Sequence, residues 1–193
     1  MTEARELMNR EQLDKAIAQL AERIAKDIES PEKTALIGIR TRGVPLAKRL
    51  RRIFALTREW NLPMGHLDIT LYRDDLSTLG SQPMVRESDI GFGVDEMTII
   101  LVDDVLYTGR TVRSAIDAII DFGRPRAIRL AVLIDRGLRE YPIQPDYCAL
   151  KIETTPNQII QVRFQGIDGY EHVLLVTRDE DEPAQSPEES KGT

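Results

Sequence analysis

One cysteine, two histidines and no long apolar run set the first limits on this 193-residue chain. Cys148 has no partner for an internal disulfide, and in DYCALKI it sits in what reads as a buried strand, where a free thiol acts as a small hydrophobe. That suits a reducing compartment, and the expected location is the cytoplasm. No stretch approaches the roughly 18 apolar residues a membrane span needs. The opening MTEAREL also lacks the basic-then-apolar order of an export signal. His66 and His172 have no nearby ligand partners in sequence and read as structural; Trp60 in REWNLP reads as packing. An excess of positive charge is missing too. The net charge is -6, of which the stretch from residue 178 contributes -4 (six acids against Arg178 and Lys191), leaving -2 for the body. Overall charge therefore argues against a basic nucleic-acid-binding domain while leaving room for a local basic face.

What is present is enough apolar residue, 41%, for one full core. One domain is expected over residues 1–178, followed by a disordered acidic tail, DEDEPAQSPEESKGT, over 179–193. Leu13, Ile17, Leu20, Ile24 and Ile28 recur at three- and four-residue spacing, which predicts an amphipathic helix over 11–28, ended by Pro31. TALIGI (34–39) suits a buried parallel strand and leads through a turn at 40–43 into a basic helix over 45–56. A second strand is expected at 66–72, then a long polar segment, 73–96, with the character of a mobile binding loop. Further strands are expected at 97–104, 127–135, 147–152, 159–164 and 172–176, with a helix over 111–122. There is no internal repeat. The alternation predicts a mainly parallel α/β sheet with its sites at the carboxyl ends of strands.

The chemistry concentrates in IILVDDVLYTGRT, residues 99–111. Successive side chains of a strand point to opposite faces, so Asp103 and Asp104 meet one ligand only if the strand ends and the chain turns there. Two ionised carboxylates suit a vicinal diol such as ribose and attract a metal ion. Thr108, Gly109, Arg110 and Thr111 then offer two hydroxyls, a flexible glycine and a run of N–H groups opening onto a helix, which is a phosphate cradle. The helix terminus adds only about 0.3 to 2 kcal/mol, so convergent hydrogen bonds must carry most of the binding. Arg40, Thr41, Arg42 and Gly43, at another strand end, offer a polar, cationic turn to a second anion.

These thirteen residues resemble the phosphoribosyl-pyrophosphate (PRPP) motif of type I phosphoribosyltransferases. LDITLYRDDL (67–76) goes further and resembles the bifunctional pyrimidine operon regulators that are also uracil phosphoribosyltransferases. With TRG, FGRPRAIRLAVLIDRG and YPIQPDY, that resemblance covers residues 7–177. It implies the type I phosphoribosyltransferase fold, with a central parallel sheet flanked by helices, a mobile catalytic loop and a small hood. It also implies that Asp103 and Asp104 hold the ribose hydroxyls, that Tyr107, Thr108, Gly109, Arg110 and Thr111 hold the 5'-phosphate, and that Thr41, Arg42 and Gly43 hold pyrophosphate. Arg73 and Asp74 fall in the catalytic loop, and Asp135, Arg136 and Ile160 on the base and metal side. Mg²⁺ is the implied cofactor, with Asp103, Asp104 and Asp135 as its candidates, directly or through water. Tyr107 stands where many purine enzymes carry an acid, which points to a pyrimidine base.

The activity implied is UMP and pyrophosphate from uracil and PRPP, joined to UMP- or UTP-responsive binding of pyrimidine operon leader mRNA by a homodimer or higher oligomer. The family's helix-borne Thr, His and Arg correspond here to Ala18, Glu22 and Asp27, and a later polar stretch has become one containing Leu150. Arg23, Lys26, Arg136, Arg139 and Lys151 remain as RNA-phosphate candidates. An enzyme that has lost RNA binding, and a non-catalytic PRPP or nucleotide sensor, are the alternatives.

Overall fold

The computed structural model describes residues 3–69 and 88–178. The end of the expected second strand, Arg73 and Asp74 with most of their polar loop, and the acidic tail lie outside the described residues. In chain order the elements are β1 (Glu3–Met8), α1 (Arg10–Lys26), β2 (Thr34–Ile39), α2 (Gly43–Arg58), β3 (Met64–Leu67) and β4 (Thr98–Leu106). They continue with α3 (Arg110–Asp121), β5 (Ala127–Asp135), β6 (Tyr147–Lys151), β7 (Gln158–Arg163), α4 (Gln165–Asp168) and β8 (His172–Thr177).

Five strands form a fully parallel sheet in the order β3-β2-β4-β5-β6. Alternation along its central strand explains the layers. Ile100 and Val102 of β4 enter a core with α1, α2 and the second sheet, while Ile99 and Leu101 enter another with α3. Both faces are therefore covered, as a parallel sheet requires. In α1 the stripe Leu13, Ile17, Leu20 and Ile24 is buried as expected. Ile28 falls beyond the helix, which stops at Lys26 with Asp27 as its cap. Trp60 packs against Phe54 with ring centroids 6.1 Å apart. Half-buried Cys148 donates its thiol to the Leu150 carbonyl, and burial pushes its pKa up.

The remaining strands form a separate antiparallel sheet, β1-β8-β7, the small hood. Reading MTEAREL for targeting signals missed β1. Its partner β8 lies at the far end of the described chain, with Glu3 opposite Thr177, and no local pattern announces such a pairing. Among the described residues no helix is long and apolar enough to cross a membrane.

Candidate active site

The carboxylate pair sits at the centre of the sheet, but not at a strand end. β4 continues past Asp103 and Asp104 to Leu106, with Asp103 opposite Val132 and Val105 opposite Ile134 on β5. The turn expected immediately after Asp104 comes two residues later. The two carboxyls nevertheless converge: Asp103 Oδ1 accepts the Asp104 N–H at 2.9 Å, and the side chains hydrogen-bond to each other. Burial pushes the Asp103 pKa well up, and the neighbouring charge of Asp104 adds to the rise. Burial also raises Asp104, against the opposing pull of its hydrogen bond with Asp103 and of the Arg42 guanidinium. Asp103 is buried and Asp104 half-buried, and neither forms a direct ion pair among the described residues.

Two helix N-termini flank the pair, and neither N-cap residue caps its helix with its own side chain. Arg42 stands at the N-cap of α2 and Gly109 at that of α3, with no acid in the first turn of either helix. Helix α1, away from the site, has a complete capping box in which the Asn9 and Gln12 side chains each accept the other's backbone N–H at 3.0 Å. N-termini without such a box leave donors for an anion. Gly43 packs directly on β4: a Cβ there would lie 2.3 Å from the Val102 carbonyl oxygen and 3.1 Å from Asp103 Cα. Any side chain would push the Thr41–Arg42–Gly43 turn away from the carboxylates. Gly109 has φ +93°, which favours glycine, and a Cβ there would meet Tyr141 Cβ at 3.2 Å.

The phosphate-type loop leans on the segment after β5. The Thr108 carbonyl accepts N–H groups from Glu140 and Tyr141, and the Arg110 guanidinium pairs with Glu140 at 2.5 Å. Thr108 Oγ1 accepts the Arg110 N–H at 3.3 Å, and Thr111 is exposed in the first turn of α3. Arg136 is 5% exposed, its guanidinium 4.0 Å from the Tyr107 ring centroid while it donates to Thr154 Oγ1 and the Thr155 carbonyl. Asp135 is also buried and pairs with Arg139 at 2.6 Å. Arg139 additionally donates to the carbonyls of Ile143, Tyr107 and Gly137.

These placements sort the expected residues. Gly43 packs against Asp103 and Arg42 acts electrostatically on Asp104, with Thr41 preceding them in the same turn. Asp135 is opposite Leu106, three positions further along the sheet than Asp103, and no three-ligand metal cluster forms among the described residues. Ile160 is a β7 core side chain, 7% exposed. Of the five basic residues considered for RNA, Arg136 and Arg139 are withdrawn into internal contacts. Lys26 and Lys151 are exposed, as is Arg23, although its guanidinium donates to the Cys148 carbonyl at 2.7 Å. Glu22 is paired with Arg58.

Sequence reading missed two partners. His66 Nε2 lies 2.6 Å from an Arg40 guanidinium nitrogen, and Asp168 of the hood binds Arg42 at 2.8 Å. Their partners are 26 and 126 residues away, so spacing carried no signal. A cleft of about 990 Å³ borders Arg40 and Thr41 on the α2 side, but its lining includes neither Asp103 nor Asp104.

A parallel sheet carrying two anion-ready turns beside a carboxylate pair, under a small antiparallel hood, defines a phosphoribosyltransferase-type protein. The same fold occurs in a hypoxanthine-guanine phosphoribosyltransferase from Leishmania tarentolae solved with GMP (TM-score 0.66, 18% identity, 91% of this chain and 97% of that one). It recurs in a Bacillus anthracis hypoxanthine-guanine enzyme (TM-score 0.65, 22% identity, 85% and 89%). At those identities the likeness is one of fold. The family model for the phosphoribosyl transferase domain matches residues 4–165. The bifunctional protein PyrR of Thermus aquaticus is 48% identical over 170 residues, 88% of this chain and 94% of the relative. That of Thermoanaerobacter sp. strain X514 is 46% identical over 173 residues, 90% and 97%. The chain belongs to the PyrR bifunctional proteins within the phosphoribosyl transferase domain family.

Proposed function

We propose that this protein transfers the phosphoribosyl group of PRPP to uracil, making UMP and pyrophosphate, and that it also regulates pyrimidine operon transcription by binding leader RNA in response to uridine nucleotides. The observation that carries the first half is the pairing of two helix N-termini whose N-cap residues supply no side-chain cap with one carboxylate pair between them, Asp103 buried and Asp104 half-buried. PRPP has matching parts: an anionic group at each end and a diol between. Asp103 and Asp104 accept the ribose hydroxyl protons, the turn from Tyr107 to Thr111 holds the 5'-phosphate, and Thr41, Arg42 and Gly43 receive pyrophosphate.

As uracil N1 gives up its proton to solvent and forms its bond to the anomeric carbon, the C–O bond to pyrophosphate breaks, with positive charge developing on the ribose ring and negative charge on the leaving group. The carboxylates answer the first and Arg42 the second, from fixed positions that need no rearrangement during the reaction. Mg²⁺ fits this donor set, because it takes one or two carboxylates together with substrate phosphates rather than a closed protein cage; Asp103 and Asp104 would hold it, and it would neutralise pyrophosphate charge. Asp135 is better suited to organising the base side, through Arg139, than to joining that metal. Tyr107, stacked on Arg136, supports a pyrimidine base by occupying the place of the purine-specific acid.

The relatives' name, bifunctional, favours the joint reading over enzyme alone or sensor alone. Arg23, Lys26 and Lys151 are the exposed cations proposed for RNA phosphate contact. A cytoplasmic homodimer or higher homo-oligomer is the proposed working form. Incubation with PRPP, Mg²⁺ and a panel of bases should give UMP with uracil and little product with purines. Absence of UMP refutes the transferase. Titration with pyrimidine leader RNA, with and without UMP, tests regulation, and an affinity indifferent to UMP refutes nucleotide-responsive control.

A further inference from the structure

Asp168 ends the short hood helix α4, yet its carboxylate reaches the pyrophosphate-type turn. Oδ1 accepts from Arg42 at 2.8 Å and from Arg163 at 3.0 Å, and Oδ2 accepts the Phe164 N–H at 2.9 Å. The Asp168 and Arg42 side chains are 6% and 17% exposed. On its other side Arg42 acts electrostatically on Asp104. One guanidinium is thus hydrogen-bonded to an acid of the hood while acting electrostatically on one acid of the ribose site. Its Nε is buried with no hydrogen-bond partner among the described residues, which leaves one unspent donor at the turn. A second tie, Arg49 of α2 to Glu171 just before β8 at 3.2 Å, holds the same helix to the hood.

We propose that Asp168 is a positioning residue for PRPP. It anchors Arg42 from the hood side, so that the guanidinium does not close onto Asp103 and Asp104. The carboxylates then stay open to the ribose hydroxyls, and the Arg42 donor stays directed at the pyrophosphate end. The physical reason is competition. Arg42 is a long side chain with two acidic destinations, and an unpaired buried carboxylate attracts a guanidinium strongly at low effective dielectric. Without the charge of Asp168, Arg42 pairs with the ribose acids in the empty enzyme, and PRPP must displace it. That is a cost on binding, recovered once the substrate is in place, so it appears in KM more than in kcat.

The inference rests on the PRPP reading, and its test separates the two. For Asp168→Asn, the KM for PRPP should rise at least about 10-fold while kcat and the KM for uracil change less than about 3-fold. In an Arg42→Gln background the same substitution should add nothing further, because Asp168 acts through Arg42. Equal KM effects in the two backgrounds overturn the proposal and leave Asp168 a structural residue. Asp168→Glu keeps the charge and the fold and should show a smaller rise in the same constant; an unchanged constant in both variants also overturns it. Independently of any activity, the Arg42 Nε–H resonance in ¹H–¹⁵N spectra should shift in Asp168→Asn, and an unmoved resonance refutes the anchor. Wild-type protein that binds no PRPP by calorimetry, with the resonance shifted, refutes the substrate reading and retains the anchor.

Discussion

Asp103 is buried and the Asp168 side chain is 6% exposed on a residue that is otherwise half-buried, yet their environments move them in opposite directions. Burial and the charge of Asp104 push the Asp103 pKa well up. Burial would raise Asp168 too, but the Phe164 N–H and the guanidinium groups of Arg42 and Arg163 outweigh it, and its pKa is lowered. The contrast separates a carboxylate kept for a ligand from one that holds the fold. An acid with two arginines on it has nothing left to offer a substrate, whereas a buried acid such as Asp103, with no ion pair among the described residues, costs stability until something binds.

The largest expected effect breaks the satisfied member. Asp168→Ala leaves Arg163 without its acid and forces Arg42 to find another, and should cost about 3 to 5 kcal/mol. At about 2 to 4 °C per kcal/mol for a domain of this size, thermal melting should show a loss of roughly 10 °C. A loss under about 2 °C would mean water replaces the carboxylate and the contrast is superficial.

Next comes the unsatisfied member. Asp103→Asn removes an acceptor for a ribose hydroxyl and should lower kcat/KM for UMP formation by about 10²-fold or more. The same variant should melt a few degrees higher than wild type at neutral pH without ligand, because an amide escapes the desolvation cost of the charged acid. Folding raises the pKa of Asp103, so its ionisation above that pKa destabilises the native state, and protonation on acidification restores what was lost. The melting advantage of Asp103→Asn should therefore shrink as pH falls from neutral toward about 5. An advantage that grows with acidification would place the pKa shift in the wrong direction. Asp168 behaves oppositely: its contribution is present above the ordinary carboxylate range and disappears only as pH falls through its lowered pKa.

The smallest expected effect concerns the cation between the phosphate turn and the base side. Tyr107→Leu removes the ring stacked 4.0 Å from Arg136 but keeps an apolar body, and should cost about 1 to 2 kcal/mol of stability. A selective increase of the KM for uracil, with the KM for PRPP little changed, would show that the stack serves base recognition.

Much of the fold was legible because its signals are local. TALIGI and AIRLAVLID are apolar runs bounded by turn residues, and β2 and β5 occupy exactly those residues. The carboxylate pair and both turns were also readable, since adjacent acids, Gly43 and Gly109 announce themselves in a short window. The length of β4 was misread, because backbone pairing to β5 continues past the aspartates whatever their side chains do. Asp135 resembles the other acids in sequence, but its register on β5 and its pairing with Arg139 set it apart.

Sequence by itself determined the α/β alternation, the positions of both anion turns and the presence of two adjacent acids at the carboxyl side of the sheet, because periodicity, glycine conformation and motif spacing act over a few residues. Tertiary structure alone decided that β1 joins β8, that Arg139 is an internal strut, and that Asp168 holds Arg42 across 126 residues of chain. Those outcomes depend on desolvation and charge pairing, which exist only after distant segments have excluded water together.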